Sequence, residues 1–144
     1  MSVPNPKVVI TDWTFANLDL EKQILESNQI EMIGRQNQTE ADLINLVSEA
    51  DAVITQFAKI NAQVIGAMKN VKVIVRYGIG VDNVDLAAAR NRNLPVCNIP
   101  DYCIDEVADH TLAFILAGTR QVVPNTNHLH AGKWGLAGPL TAMQ

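Results

Sequence analysis

The segment VIVRYGIGVDNVD, Val73–Asp85, decides the fold because it joins a short β-branched run to a Gly-x-Gly turn and then to a helical pattern. A strand that runs through glycines into a helix is typical of a parallel α/β sheet. Ligands bind such sheets at the carboxyl ends of the strands. The glycines can therefore form a dinucleotide fingerprint, a different anion-binding site, or only a tight bend.

The same alternation of short apolar runs and helical patterns repeats on both sides of this segment. Four further runs are typical of strands: 7–12 (KVVITD), 29–35 (QIEMIGR), 51–57 (DAVITQF) and 94–100 (LPVCNIP). Thr39 and Asn61 precede two of the intervening helical patterns and are expected to cap them. The run VKVIVRY, 71–77, is the most apolar, which favours the sheet centre. The sequence thus predicts an α/β fold, a flavodoxin-like parallel five-stranded sheet with flanking helices.

The pattern changes after Pro100. Residues Ile104–Gln121 predict one long amphipathic helix, longer than those before it, and a short helix is expected around Asn127. The apolar side of the long helix comprises Val107, Thr111, Leu112, Ile115 and Leu116. We therefore place a domain boundary at Pro100 and Asp101, which divides the chain into domains 1–100 and 101–144.

Composition excludes several classes of protein. A hydrophobic content of 48% with 18% charged residues is ordinary for a soluble globular chain of 144 residues. A net charge of −4 without a basic patch argues against nucleic-acid binding, and no apolar run reaches the roughly 20 residues of a membrane helix. Cys97 and Cys103 match neither a zinc pair nor a redox pair. They predict buried or half-buried reduced thiols and a cytoplasmic location.

The glycine turn fails as a dinucleotide fingerprint. That motif needs Gly-x-Gly-x-x-Gly after the first strand of its unit. Gly78 and Gly80 fit, but Asn83 takes the third position, and the turn follows the fourth predicted strand.

Two interpretations of the turn stay open on the residues alone. Two glycines allow close approach of a ligand, and the amino end of a following helix offers unpaired N–H groups to a carboxylate or phosphate. Alternatively, Asp82 and Asp85 cap that helix and leave an ordinary turn. Arg76 is equally compatible with a salt bridge to either aspartate and with a ligand contact.

The block 71–121 resembles the D-isomer-specific 2-hydroxyacid dehydrogenase family, which includes phosphoglycerate dehydrogenases and the C-terminal-binding-protein corepressors. The resemblance rests on R-x-G-x-G-x-D-N-x-D from Arg76, V-x-N-x-P from Val96 and E-x-A-x-x-T-L from Glu106. The segment LHAGKWG, from Leu129, is similar to the family's segment before its nucleotide-binding strand.

The resemblance implies a substrate lobe, residues 1–100, followed by a Rossmann nucleotide-binding domain, whose start is residues 101–144 and which is entered through the long helix. A small 2-oxo or 2-hydroxy acid would lie between two short segments, which comprise Thr55, Gln56 and Phe57 on one side and Tyr77, Gly78, Ile79 and Gly80 on the other. The cofactor, NAD or NADP, would approach Ile79 and Thr111. Helix 104–121 would form a homodimer interface.

The resemblance also implies that the catalytic residues lie outside this sequence. The family's histidine, its carboxylate partner and its arginine follow the Rossmann fingerprint, and the chain reaches Gln144 before any such fingerprint. His110, His128 and His130 do not match the catalytic position, and the His-x-His pair lacks a third metal ligand. We therefore expect a fragment with no catalytic residue, no metal, no tightly bound cofactor and no turnover.

One alternative remains, a stand-alone binding or scaffold protein of the corepressor-like branch. A phospho-acceptor receiver domain does not fit, because only Asp12 follows the first strand and Asn98 ends the fifth.

Overall fold

The computed structural model describes residues 5–36 and 39–139. This part of the chain forms five strands and six helices. Strands and helices alternate up to Pro100, and the last two helices follow it. In chain order they are β1 (Lys7–Ile10), α1 (Asp19–Ser27), β2 (Glu31–Gly34), α2 (Glu40–Val47), β3 (Ala52–Thr55), α3 (Ala62–Ala67), β4 (Ile74–Arg76), α4 (Leu86–Asn91), β5 (Val96–Cys97), α5 (Ile104–Thr119) and α6 (Val122–His130).

All five strands pair in parallel in the order β2-β1-β3-β4-β5, which confirms the predicted flavodoxin-like sheet. The central strand is β3, so the prediction that the most apolar run occupies the centre was wrong. β4 lies beside it, and only Ile74–Arg76 of the predicted run 71–77 form the strand. Thr55, the last residue of β3, pairs with Arg76, the last residue of β4. Because β4 ends at Arg76, the glycine turn begins close to the end of β3.

The hydrophobic core is centred on the middle strands of the sheet, between the sheet and its helices. Val9, Val53 and Ile74 from three adjacent strands are fully buried and pack with Val64 and Met68 from the α3 segment. Burying each such aliphatic side chain contributes about 1.5–3 kcal/mol. This core holds the strand ends of the first hundred residues in fixed positions.

Two helix starts follow the predicted capping. The Thr39 hydroxyl accepts from the Asp42 amide, and the Asp42 carboxylate accepts from the Thr39 amide, which completes a capping box. The Asn61 side chain accepts from the amides of Gln63 and Val64. Each cap satisfies N–H groups that the helix leaves unpaired.

The chain divides into two compact units, Met1–Pro100 and Asp101–Gln144. In the second, α5 ends at Thr119 rather than Gln121, and Gln121 has a left-handed φ of 51° before α6 begins. The expected short helix around Asn127 is present as α6. The assignment of the second unit to a nucleotide-binding domain stays a prediction.

Two other expectations concern the exposure of the cysteines and the presence of membrane-spanning helices. Cys103 is half-buried, but Cys97 is exposed, so the prediction of a buried or half-buried thiol was wrong at Cys97. Among the helices of the described residues, none is both long and apolar enough to cross a membrane.

Candidate functional site

The candidate site begins with Asp12, the residue that follows Thr11 at the end of β1. Its Oδ1 accepts from the Gln56 amide at 3.0 Å and its Oδ2 from the Phe57 amide at 2.6 Å. The hydroxyls of Thr11 and Thr55 donate to Oδ1 at 2.8 and 3.2 Å. One carboxylate therefore fixes the bend that follows β3.

The electrostatics of Asp12 follow from these donors. Burial alone would raise its pKa, but hydrogen bonds from the amides of Gln56 and Phe57, the Thr11 hydroxyl and the Ala58 amide together lower the pKa below 3.8. Asp12 is thus ionised at neutral pH, and its charge is satisfied by the protein. Sequence reasoning missed this residue, although an aspartate directly after a buried strand was a usable signal.

Arg76 lies at the end of β4, opposite that bend. Its Nε donates to the Gln56 carbonyl at 3.1 Å, and its guanidinium lies 5.7 Å from the centroid of the Phe57 ring. Over residues 5–36 and 39–139 it forms no salt bridge with Asp82 or Asp85. The structure therefore favours an Arg76 held by the β3 bend over an Arg76 neutralised by an aspartate.

Gly78 makes room for that guanidinium. A Cβ at this position would lie 1.8 Å from Arg76 Nη1, and its φ of +146° disfavours other residues. Gly78 is buried. The packing of Arg76 therefore requires a glycine at this position, and the assignment of Gly78 to substrate binding stays a prediction.

The amides of the glycine turn divide into two pairs. Those of Tyr77 and Gly78 donate to the carbonyls of Thr55 and Arg76, both at 2.9 Å. Those of Ile79 and Gly80 donate no hydrogen bond within the part of the chain that the structure describes. Two consecutive free amides beside a guanidinium form an anion-binding surface.

The segment that follows β5 holds the glycine turn by donating hydrogen bonds to the carbonyls of the turn. The Asn98 side chain donates to the Ile79 carbonyl at 2.7 Å, and the Ile99 amide donates to the Gly78 carbonyl at 3.0 Å. These two contacts fix the peptide orientation, because they pair the carbonyls and leave the amides of Ile79 and Gly80 free.

No helix amino end backs the turn, so that part of the sequence-based expectation was wrong. α4 begins only at Leu86, and Asp85 caps it by accepting from the Ala88 amide at 2.9 Å. Between the turn and α4 the chain pairs with the segment after β3 through a bridge of Val84 with Ile60. Asp82 makes no hydrogen bond to the turn among the described residues, so the amides stay unpaired.

A cavity of about 220 Å³ lies at this point, which we call the glycine-loop site. Its lining comprises Phe57, Arg76, Gly80, Asp82 and Asn83. Larger cavities of about 600 and 630 Å³ lie beside α4 and at the amino edge of the sheet. We favour the smaller cavity because its lining includes both a guanidinium and a free backbone amide.

The structure brings some predicted site residues to this cavity and not others. Phe57 and Gly80 line it, and Ile79 adjoins Gly80. Thr55 and Gln56 are buried behind it, and the Gln56 Oε1 has no partner among the described residues. Thr111 is on α5, where its hydroxyl donates to the Val107 carbonyl at 2.7 Å.

Tyr77 is directed elsewhere. Its hydroxyl donates to the Glu21 carboxylate at 2.9 Å. Its ring meets the Phe15 ring edge-on, with 5.2 Å between the ring centroids. Burial, followed by the Glu21 carboxylate, raises the Tyr77 pKa well above 10.0. Tyr77 thus joins β4 to α1, and neither its amide nor its hydroxyl is available to a ligand.

Within the described residues, no group of three or more histidine, cysteine, aspartate or glutamate side chains is placed to hold a metal ion. The chemistry that the site offers is binding of an anionic group by a guanidinium and two amides.

The fold and the site together define a flavodoxin-like lobe that presents free amides beside an arginine at the carboxyl edge of its sheet. The family model described as D-isomer specific 2-hydroxyacid dehydrogenase, catalytic domain, matches residues 8–134. The chain belongs to this family.

Its relatives agree with that membership. A D-3-phosphoglycerate dehydrogenase of Archaeoglobus fulgidus is 33% identical over 111 residues, which are 76% of this chain and 21% of that protein. A hydroxypyruvate reductase of Thermotoga maritima is 34% identical over 119 residues, which are 81% of this chain and 39% of that protein. The chain thus spans well under half the length of these relatives.

A solved structure is similar over much of the chain. The NAD+-bound 3-phosphoglycerate dehydrogenase of Entamoeba histolytica superposes with a TM-score of 0.70 and 31% identity, covering 81% of this chain and 40% of that one.

Proposed function

We propose that these 144 residues supply the substrate lobe of an NAD- or NADP-dependent D-2-hydroxyacid dehydrogenase. In the whole enzyme a hydride passes between the nicotinamide and C2 of a 2-oxo or 2-hydroxy acid. The observation that carries the proposal is the pair of free amides, Ile79 and Gly80, beside the Arg76 guanidinium. Family membership supports the same reaction class.

The geometry suits a carboxylate. A guanidinium presents parallel N–H donors that match the two carboxylate oxygens, and charge-assisted bonds of this kind are stronger than neutral ones. The amides of Ile79 and Gly80 add donors that need no rearrangement, because Asn98 and Ile99 already fix the turn. The acid carboxylate would therefore be held before the reaction begins.

Ile79 and Thr111 are the residues of this chain that we assign to the cofactor. A bound nicotinamide supplies or accepts the hydride. The Ile79 side chain is 40% exposed, so it offers an apolar surface to a flat ring. The Thr111 hydroxyl donates its proton to the Val107 carbonyl. Thr111 can therefore accept a further hydrogen bond, but it cannot donate one without rearrangement.

We further propose that residues 1–144 by themselves bind the acid and turn nothing over. The length of the relatives supports this proposal. Those with a dehydrogenase or reductase activity in their names are more than twice as long as the segment they share with this chain. Measurable oxidation of reduced nicotinamide by 2-oxo acids with the purified chain would contradict this.

Substitution of Arg76 tests the carboxylate contact. Arg76→Lys keeps the charge but loses the planar pair of donors, and should weaken pyruvate binding about tenfold. Arg90→Lys, on an exposed position of α4, is the matched control and should leave binding unchanged. Ligand-observed NMR measures the dissociation constants; equal affinities of the two variants would contradict the assignment.

The alternative of a scaffold without catalysis also has one supporting observation. Large apolar side chains of α5 and α6 are exposed, among them Phe114, Leu116 and Val123. Tight binding of a protein partner together with no affinity for any 2-oxo acid would favour the scaffold.

A further inference from the structure

We propose that the glycine-loop site takes acids whose side chain at C2 is uncharged and apolar, and discriminates against acids that carry a second anionic group such as a phosphate. This inference rests on the proposed function and adds the class of substrate.

The cavity is lined by few cations. Arg76 is the one cationic side chain that lines the cavity, counted over the described residues. Its Nε is committed to the Gln56 carbonyl at 3.1 Å, which leaves the two terminal nitrogens of the guanidinium. These two match a single carboxylate. A second anionic group would find no cation in this part of the site.

A negatively charged side chain lies in the same lining. Asp82 shares the cavity with Arg76, is exposed, and forms no salt bridge among the described residues. Its carboxylate is also close to the turn, since a Cβ on Gly80 would lie 3.3 Å from Oδ2. A like charge near a bound dianion raises the free energy of binding, and in a half-open site the effect is about tenfold in affinity.

Apolar side chains surround the guanidinium. The Phe57 ring is 62% exposed although its amide is fixed by Asp12 at 2.6 Å. The side chain of Ile79, the residue next to Gly80, is exposed as well. Covering such surfaces with an apolar group is favourable, whereas a phosphate would be desolvated against them without a partner.

The test compares three acids on the same chain: pyruvate, phenylpyruvate and 3-phosphohydroxypyruvate. We expect phenylpyruvate to bind at least as tightly as pyruvate and about tenfold more tightly than the phosphorylated acid. Asp82→Asn removes the like charge without changing the shape, so it should tighten binding of the phosphorylated acid several-fold more than that of phenylpyruvate, which carries a single negative charge. Glu31→Gln, at the amino end of β2, is the charge-matched control and should change neither.

Dissociation constants from ligand-observed NMR titrations separate the outcomes. If pyruvate binds and the phosphorylated acid binds as tightly as phenylpyruvate or more tightly, the selectivity is overturned while the proposed function stands. An Asp82→Asn variant that leaves the phosphorylated acid unaffected overturns the role of Asp82. If no acid binds at millimolar concentration, the carboxylate site and the proposed function fail together.

Discussion

Asp12 illustrates at the scale of the residue how a charged side chain can organise a binding site without facing the ligand. Its carboxylate pairs the two amides after β3, and the Gln56 carbonyl of the same bend then accepts from Arg76. Phe57 and Arg76 are both positioned through this one group.

Asp12→Asn should destabilise the fold by about 1–3 kcal/mol, because the Asn amide group would face an N–H donor. The lowered pKa gives a pH dependence with a definite sign. The contribution of Asp12 is present above pH 3.8 and is lost as pH falls through the lower folded-state value. Urea unfolding should therefore separate wild type from the variant at neutral pH and bring them together below pH 3.8. A constant difference across that range would count against the account.

Gly78 gives the second prediction at this scale. Gly78→Ala places a methyl group onto the Arg76 guanidinium at a strained φ, and should cost about 1–3 kcal/mol and weaken pyruvate binding. Gly66→Ala is the control, since it lies in α3 with nothing within 4 Å of the new methyl group. It should be neutral or stabilising by about 0.5–1 kcal/mol. Equal stabilities of the two variants in urea unfolding would refute the role of Gly78.

At the scale of the element, the sequence predicted what depends on local chemistry. The strands follow β-branched runs, and Thr39 and Asn61 form caps because their side chains satisfy nearby amides. The cap of α4 by Asp85 was one of the two interpretations that the sequence left open, whereas the bridge of Val84 with Ile60 was missed because it is a contact between distant segments. The position of Asp12 directly after a buried strand was a local signal, but its partners were not predictable, since they lie 44 and 45 residues away.

The predicted dimer helix is tested at this scale as well. Leu112 on α5 is 57% exposed, and apolar side chains of this size favour burial against a partner. We expect the chain to self-associate in sedimentation velocity and Leu112→Glu to shift it toward monomer.

The control for that shift is Leu20→Glu on α1, where the leucine is 66% exposed. It should leave the association unchanged. A wild-type chain that stays monomeric at high concentration would contradict the dimer proposal.

At the scale of the whole molecule, the five-stranded sheet places three strand ends at one edge. β1 ends before Asp12, β3 before the Phe57 bend and β4 at Arg76, and parallel pairing brings these ends together. Family membership was predictable because the motif R-x-G-x-G-x-D-N-x-D is continuous in sequence. Which of its amides are free was not predictable, since that depends on Asn98 and Ile99 from the distant segment after β5.

Amide-resolved NMR of the ¹⁵N-labelled chain during a pyruvate titration shows whether the amides of Ile79 and Gly80 hold an acid carboxylate. We expect the largest shifts at Ile79 and Gly80, with smaller ones at Tyr77 and Gly78, whose amides already donate to protein carbonyls. Saturable shifts confined to another region, such as the amino edge of the sheet around Lys72, would contradict this expectation.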